Sequence, residues 1–115
     1  MRVLVCGSRH FQDSKLMKEV LDEHSDITQI IHGAARGADT LAGRYGEVHS
    51  IRVRDFPADW DTYGRRAGPI RNSQMLKEGN PDLVIAFRGP NSKGTQNMID
   101  QATKAGVPVK VVDIA

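Results

Sequence analysis

Short apolar runs ended by glycine alternate along this chain with stretches whose apolar residues recur every three to four positions. "RVLVC" (2–6), closed by Gly7, fits a strand buried on both faces. Asp13 then stands where a helix N-cap belongs, and Leu16, Met17, Val20 and Leu21 fall on one helical face. "TQII" (28–31) reads as a second strand, after which Leu41, Ala42, Tyr45 and Val48 or His49 repeat at helical spacing. "SIRVRDF" (50–56) alternates apolar and polar residues and predicts an edge strand with one wet face. A long connection over 57–72 leads into a helix that uses Met75 and Leu76. "DLVIAF" (82–87) is the strongest central strand of the chain. The loop "RGPNSKGT" follows, then a helix carrying Met98, Ile99, Ala102 and Ala105 and stopped by Gly106. "VPVKVV" (107–112) is the last strand, with Pro108 suited to a strand start or an edge.

Strands alternating with helices predict parallel βαβ units with right-handed crossovers. The expected fold is α/β: one three-layer domain over residues 1–115, with a five-stranded, mostly parallel sheet and helices on both faces. At 115 residues the chain is long enough to bury a core without staples. A formal net charge of +2 argues against nucleic acid as the partner. The single cysteine, Cys6, excludes an internal disulfide and fits a reducing compartment, as a small core residue. The first apolar run, of four residues, is too short for a signal peptide or a membrane span, so a cytoplasmic protein is expected.

In an open parallel sheet every strand-to-helix loop lies at the carboxyl end of the strands. Three glycine-bearing loops belong there: "GSRH", "GAARGAD" and "RGPNSKGT". Glycine lets a backbone approach a ligand, and the helix that follows offers free N–H groups to an anion. Arg36, Arg65, Arg66, Arg71, Arg88 and Lys93 fall in predicted loops or loop edges, and arginine there can grip phosphate with two hydrogen bonds. An anion site is therefore expected on Gly7, Ser8 and Arg9, on Gly33, Arg36, Gly37 and Asp39, and on Gly89, Gly94 and Thr95. Neither the Walker loop nor the G-x-G-x-x-G fingerprint occurs, and no cofactor is expected. His10 and His32 stand beside glycine loops without a Cys, Asp or Glu at ligand spacing, so no metal is expected either.

"GSR", "GAARGAD", "FPADW", "YGRRAGPIRN" and "AFRGPNSKGT", in this order, resemble the YspA-related branch of the SLOG superfamily. The resemblance implies a Rossmann-like fold, a nucleotide or nucleotide-derived ligand such as an ADP-ribose derivative, and a homodimer. Standalone members of the branch are frequent in bacteria and their phages. The superfamily also includes the Lonely Guy phosphoribohydrolases, whose motif P-G-G-x-G-T-x-x-E is similar to the third loop here. Gly94-Thr95 is kept, the loop is longer, and the glutamate falls at Met98. The arginine those enzymes use looks similar to Arg71, which the resemblance casts as a phosphate-binding or catalytic residue.

Cleaving an N-glycosidic bond builds positive charge on the ribose, and a carboxylate is the usual group to meet it. Methionine cannot, so this loop is built better for binding than for cleavage. Two functions follow. One is a module that senses or sequesters a nucleotide-type ligand. The alternative is a phosphoribohydrolase in which Arg71 orients the substrate and Asp39 supplies the missing carboxylate. Asp39 has two other readings, a dipole-favoured residue of a first helical turn and a ribose-hydroxyl ligand. Trp60 and Tyr63 in the long connection suit base stacking or a subunit contact.

Overall fold

The glycine-ended runs become strands because each is apolar on both faces and is followed by a turn that sends the chain back across the sheet. The computed structural model describes residues 1–114. Its elements are β1 (Arg2–Gly7), α1 (Ser14–Asp22), β2 (Gln29–His32), α2 (Ala38–Val48), β3 (Arg52–Asp55), α3 (Trp60–Tyr63), α4 (Ala67–Gly79), β4 (Leu83–Arg88), α5 (Lys93–Lys104) and β5 (Val109–Asp113). The five strands form one sheet in the order β3-β2-β1-β4-β5, and every neighbouring pair is parallel. The strand order reverses between β1 and β4, which makes the carboxyl ends of these two strands the switch point.

Two apolar clusters fill the spaces above and below the sheet, giving the three layers. On one face Met17, Val20 and Leu21 of α1 and Ala38 and Ala42 of α2 pack on Val3, Val5, Ile30 and Ile85. On the other, Met75 of α4 and Met98, Ile99 and Ala102 of α5 pack on Leu4, Ile31, Val84 and Ala86. The alternating strand residues therefore divide between two cores, as the period of two requires. Among the described residues no helix is long and apolar enough to cross a membrane.

Several local expectations change. The 57–72 connection is mostly helical: the Asp59 side chain caps α3 by accepting from the Thr62 N–H at 3.1 Å, a 3₁₀ turn spans Gly64–Arg66, and α4 starts at Ala67. Arg71 thus lies within α4 rather than in a loop. Arg88 ends β4 and is held by Asp113 of β5, with Nε 2.8 Å from Oδ1, so it is not a loop cation. Val48 is 78% exposed, since α2 ends there and its buried positions are Ala38, Asp39, Ala42 and Gly46.

Candidate functional site

A cleft of about 550 Å³ opens at the carboxyl end of the sheet, on the α4–α5 side of the switch point. Its walls come from the β1–α1 loop, the β2–α2 loop, α4 and the β4–α5 loop, and Cys6, a buried core residue, reaches it from the end of β1. Asp39, Asn72 and Thr95 are the buried polar residues among those described, at 5%, 4% and 5% exposure, and all three line this cleft. Burial of a polar group is costly unless hydrogen bonds answer it. Three elements each bring one such group to the same place.

Asp39 sits in the first turn of α2, and its side chain turns back into its own loop. Oδ2 accepts from the Gly33 N–H at 2.9 Å and the Ala35 N–H at 3.2 Å, and both bonds leave Oδ1 free. Burial raises the carboxyl above the ordinary aspartate range; the two N–H donors, His32 and the Arg71 guanidinium pull partly the other way. Arg71, half-buried in α4, donates through Nη1 to the Gly33 carbonyl and through Nε to Asn72 Oδ1 at 3.1 Å. Desolvation works against its charge, while Asp39 favours it. Gly33 thereby joins the acid and the base, using its N–H for one and its carbonyl for the other.

Asn72 ties α4 to α5. Its Nδ2 donates to the Gly94 carbonyl at 3.2 Å and to Asn97 Oδ1 at 3.1 Å. The start of α5 is unusual for what it lacks. Ser92 holds the N-cap position, yet its hydroxyl accepts from the Gly89 N–H at 3.1 Å and makes no cap hydrogen bond to the helix. The Lys93 N–H donates back to the Asn91 carbonyl at 3.0 Å, which leaves the first-turn N–H groups of Gly94 and Thr95 without an intrahelical partner beside the cleft. Nothing lies within 4 Å of where a Gly94 side chain would start, and Lys93, Gly94 and Thr95 all line the cleft.

The first loop is fixed from several sides. The Ser8 N–H donates to the Phe87 carbonyl at 2.9 Å, and the Ser8 carbonyl accepts from Phe11 and Ala38, each at 3.2 Å. Phe11 stacks on Phe87 with ring centroids 4.9 Å apart. Gly7 is needed by contact, because a Cβ there would lie 2.7 Å from the Phe87 oxygen.

Of the residues expected at the site, Gly7, Ser8, Arg9, Asp39, Arg71, Gly94 and Thr95 line the cleft. Gly33, Arg36, Gly37 and Gly89 do not. Gly33 and Gly89 support it from behind, Gly37 at φ 76° packs against Ser8 and Arg9, and Arg36 is exposed. Trp60 and Tyr63, 58% and 43% exposed, also lie outside the cleft, with the Trp60 ring over Gly68. Met98 is fully buried in the core under α5, so no carboxylate comes from that position. Asp39 is the sole carboxylate among the lining residues. Asn72 escaped the sequence reading, although its signal was there: a polar residue three before Met75 on the inner face of a helix.

The sequence pattern described as the YspA, cpYpsA-related SLOG family matches residues 1–63. The Gene 61 protein of Mycobacterium phage D29 is 34% identical over 117 residues, spanning 94% of this chain and 93% of that protein. The chain belongs to the YspA, cpYpsA-related SLOG family. Among solved structures, it is similar to the UDP-GlcNAc 2-epimerase of Neisseria meningitidis, crystallised with UDP-GlcNAc. That likeness has a TM-score of 0.59 at 17% identity and covers 97% of this chain, which spans 32% of the epimerase. It concerns the fold alone. The family match ends at Tyr63, before α4 and α5, so Arg71, Asn72 and Thr95 lie outside it.

Proposed function

We propose that this cleft holds the phosphate of a nucleotide or nucleotide-derived ligand, a nucleoside phosphate or an ADP-ribose-like molecule, and that the protein binds it as a sensor or sequestering module. The observation that carries the reading is the gathering of buried Asp39, Asn72 and Thr95 beside the uncapped start of α5. The Gly94 and Thr95 amides and the Arg9, Arg71 and Lys93 side chains answer phosphate oxygens. Asp39 Oδ1 accepts from a sugar hydroxyl. Gly7, Ser8, Gly33, Arg36, Gly37 and Gly89 shape the loops around it. A cytoplasmic setting and a single domain over 1–115 belong to the same reading.

Ligand at a hundred times its dissociation constant adds about 2.7 kcal/mol of stability. Thermal melts with inorganic phosphate, ribose 5-phosphate, nucleoside monophosphates and nucleotide sugars therefore test the idea. A rise with phosphate esters supports it, and unchanged melting with all of them overturns it.

One observation favours a second reading, phosphoribohydrolase activity: the free Oδ1 of Asp39 and the Arg71 guanidinium share one cleft. Arg71 would then orient the phosphate ester while the Asp39 carboxylate meets the cationic ribose. Release of free base and ribose 5-phosphate from nucleoside 5′-monophosphates is its readout. Binding is preferred, because Asp39 already spends Oδ2 on two backbone donors and the position of the motif glutamate is core.

The proposal includes a homodimer with Trp60 and Tyr63 at the contact. Both are exposed and outside the cleft, and Asp59 and Asp61 beside them complement Arg65 and Arg66 across a two-fold axis.

A further inference from the structure

On the other side of the switch point, between the β1–α1 loop and the end of β5, lies a second hollow of about 450 Å³. Ser8 and His10 line both it and the first cleft, so a single turn of chain separates the two. That turn is a fixed ridge: Ser8 N–H, Ser8 carbonyl and the Phe11–Phe87 stack anchor it, and Ser8 Oγ accepts from the His10 N–H at 3.1 Å.

The hollows differ in charge. Arg9, Arg71 and Lys93 line the first. No lysine or arginine lines the second, whose charged residues are Asp13 and Asp113. Asp13 is oriented by the Leu16 N–H at 3.0 Å, and Asp113 is compensated by Arg88, whose Nε and Nη2 take its two oxygens at 2.8 and 3.2 Å. Phe11, Leu16 and Ile114 give this hollow an apolar wall, and Gln12 adds an amide at its edge. Such a lining offers a phosphate no cation of its own and suits a flat or hydroxyl-rich group with donors for carboxylate oxygens.

We infer that the second hollow is the subsite for the uncharged end of a two-ended ligand, a sugar or base linked through phosphate, which crosses the Ser8–His10 ridge with its phosphate in the first cleft. This rests on the first cleft being the phosphate site. The ligand class is thereby narrowed from a mononucleotide, which one cleft of this size accommodates, to a nucleoside diphosphate conjugate that spans both.

Protein NMR with two probes, ribose 5-phosphate and ADP-ribose, tests it on the intact chain. With ribose 5-phosphate the Gly94 amide and Thr95 methyl signals should move while the Leu16 and Ile114 methyls stay. With ADP-ribose all four should move together along one binding curve, at least tenfold tighter. If ADP-ribose shifts Gly94 and Thr95 but leaves Leu16 and Ile114 in place, or binds no tighter than ribose 5-phosphate, the second subsite is refuted and the first cleft stands. If Leu16 and Ile114 respond without Gly94, the spanning ligand is refuted. If neither probe moves Gly94, the phosphate site fails and this inference with it.

Discussion

Arg71 donates through Nη1 to the main-chain oxygen of Gly33, 38 positions earlier, so a guanidinium on α4 and a glycine in the β2–α2 loop hold each other in place. The match depends on the missing side chain. A Cβ on Gly33 would lie 2.5 Å from Nη1 and 2.7 Å from the guanidinium carbon.

Gly33→Ala should therefore expel the guanidinium from the loop. A hydrogen bond to a charged group is worth about 1.5–3 kcal/mol, and a loss of that size in unfolding free energy, read as a lower urea midpoint, is expected together with weaker phosphate binding. Arg71→Lys keeps the charge but loses the planar fork that serves Gly33 and Asn72 from two different nitrogens. It should lose stability in the same direction, by less.

Two glycines separate ligand contact from packing. Gly7→Ala places a Cβ 2.7 Å from the Phe87 oxygen and 2.8 Å from the Ala38 Cβ, an overpacking expected to cost about 1–3 kcal/mol in denaturant titration. Gly94→Ala meets nothing within 4 Å and should leave stability equal or raise it by up to about 1 kcal/mol. Its affinity for ribose 5-phosphate should nevertheless fall about tenfold. Full affinity in Gly94→Ala would remove the phosphate from the start of α5.

Asp39→Asn should change how stability depends on pH. Burial raises the Asp39 carboxyl when the chain folds, so between its unfolded and folded values the native state holds the extra proton. Native stability from this group is present in acid and is lost as pH rises through the folded value. The melting temperature of Asp39→Asn relative to the parent should accordingly climb with pH across the range above the ordinary aspartate value. A difference independent of pH would mean that burial does not dominate this carboxyl. In the same variant, unchanged release of base from nucleoside monophosphates would remove Asp39 from any hydrolytic role.

Tyr45 joins α2 to α1 by donating to Asp22 Oδ1 at 2.7 Å, and its ring stacks on His49. Burial and this carboxylate push the phenol up to about 12. Tyr45→Phe should cost about 0.5–1.5 kcal/mol near neutrality, read by urea unfolding. The phenol favours the native state until pH passes the ordinary tyrosine value of 10.0, and its contribution is gone above about 12. The gap between parent and Tyr45→Phe should narrow over that window.

Trp60 and Tyr63 are predicted to act between subunits. Sedimentation equilibrium should show a dimer for the parent and a monomer for Trp60→Ser combined with Tyr63→Ser, with little change in monomer folding. A parent that sediments as a monomer rejects the contact.

Strands were legible where an apolar run was short and closed by glycine: β1 and β4 appear within a residue or two of their expected bounds, and β3 is an edge strand as its alternation predicted. Legibility failed over 57–72, which reads as one long connection. Asp59 caps a helix there, and Pro69 is tolerated in the first turn of the next because its missing N–H would have had no partner. Cation positions were legible as residues but not as partners. Arg88 lies on β4 beside Asp113 only because β4 and β5 pair in the register Arg88↔Asp113.

By itself, the order of apolar runs, helical stripes and glycine turns determined a parallel α/β sheet with its loops at one edge. Strand polarity and crossover handedness leave those loops nowhere else to go. Only the tertiary structure decided which side chains meet. Asp39, Asn72 and Thr95 come from three helices with no sequence spacing in common, and they converge because α2 packs on one face of the sheet while α4 and α5 pack on the other. The same packing set Gly33 against Arg71, turned Ser92 away from α5 and split the edge into two hollows of different charge.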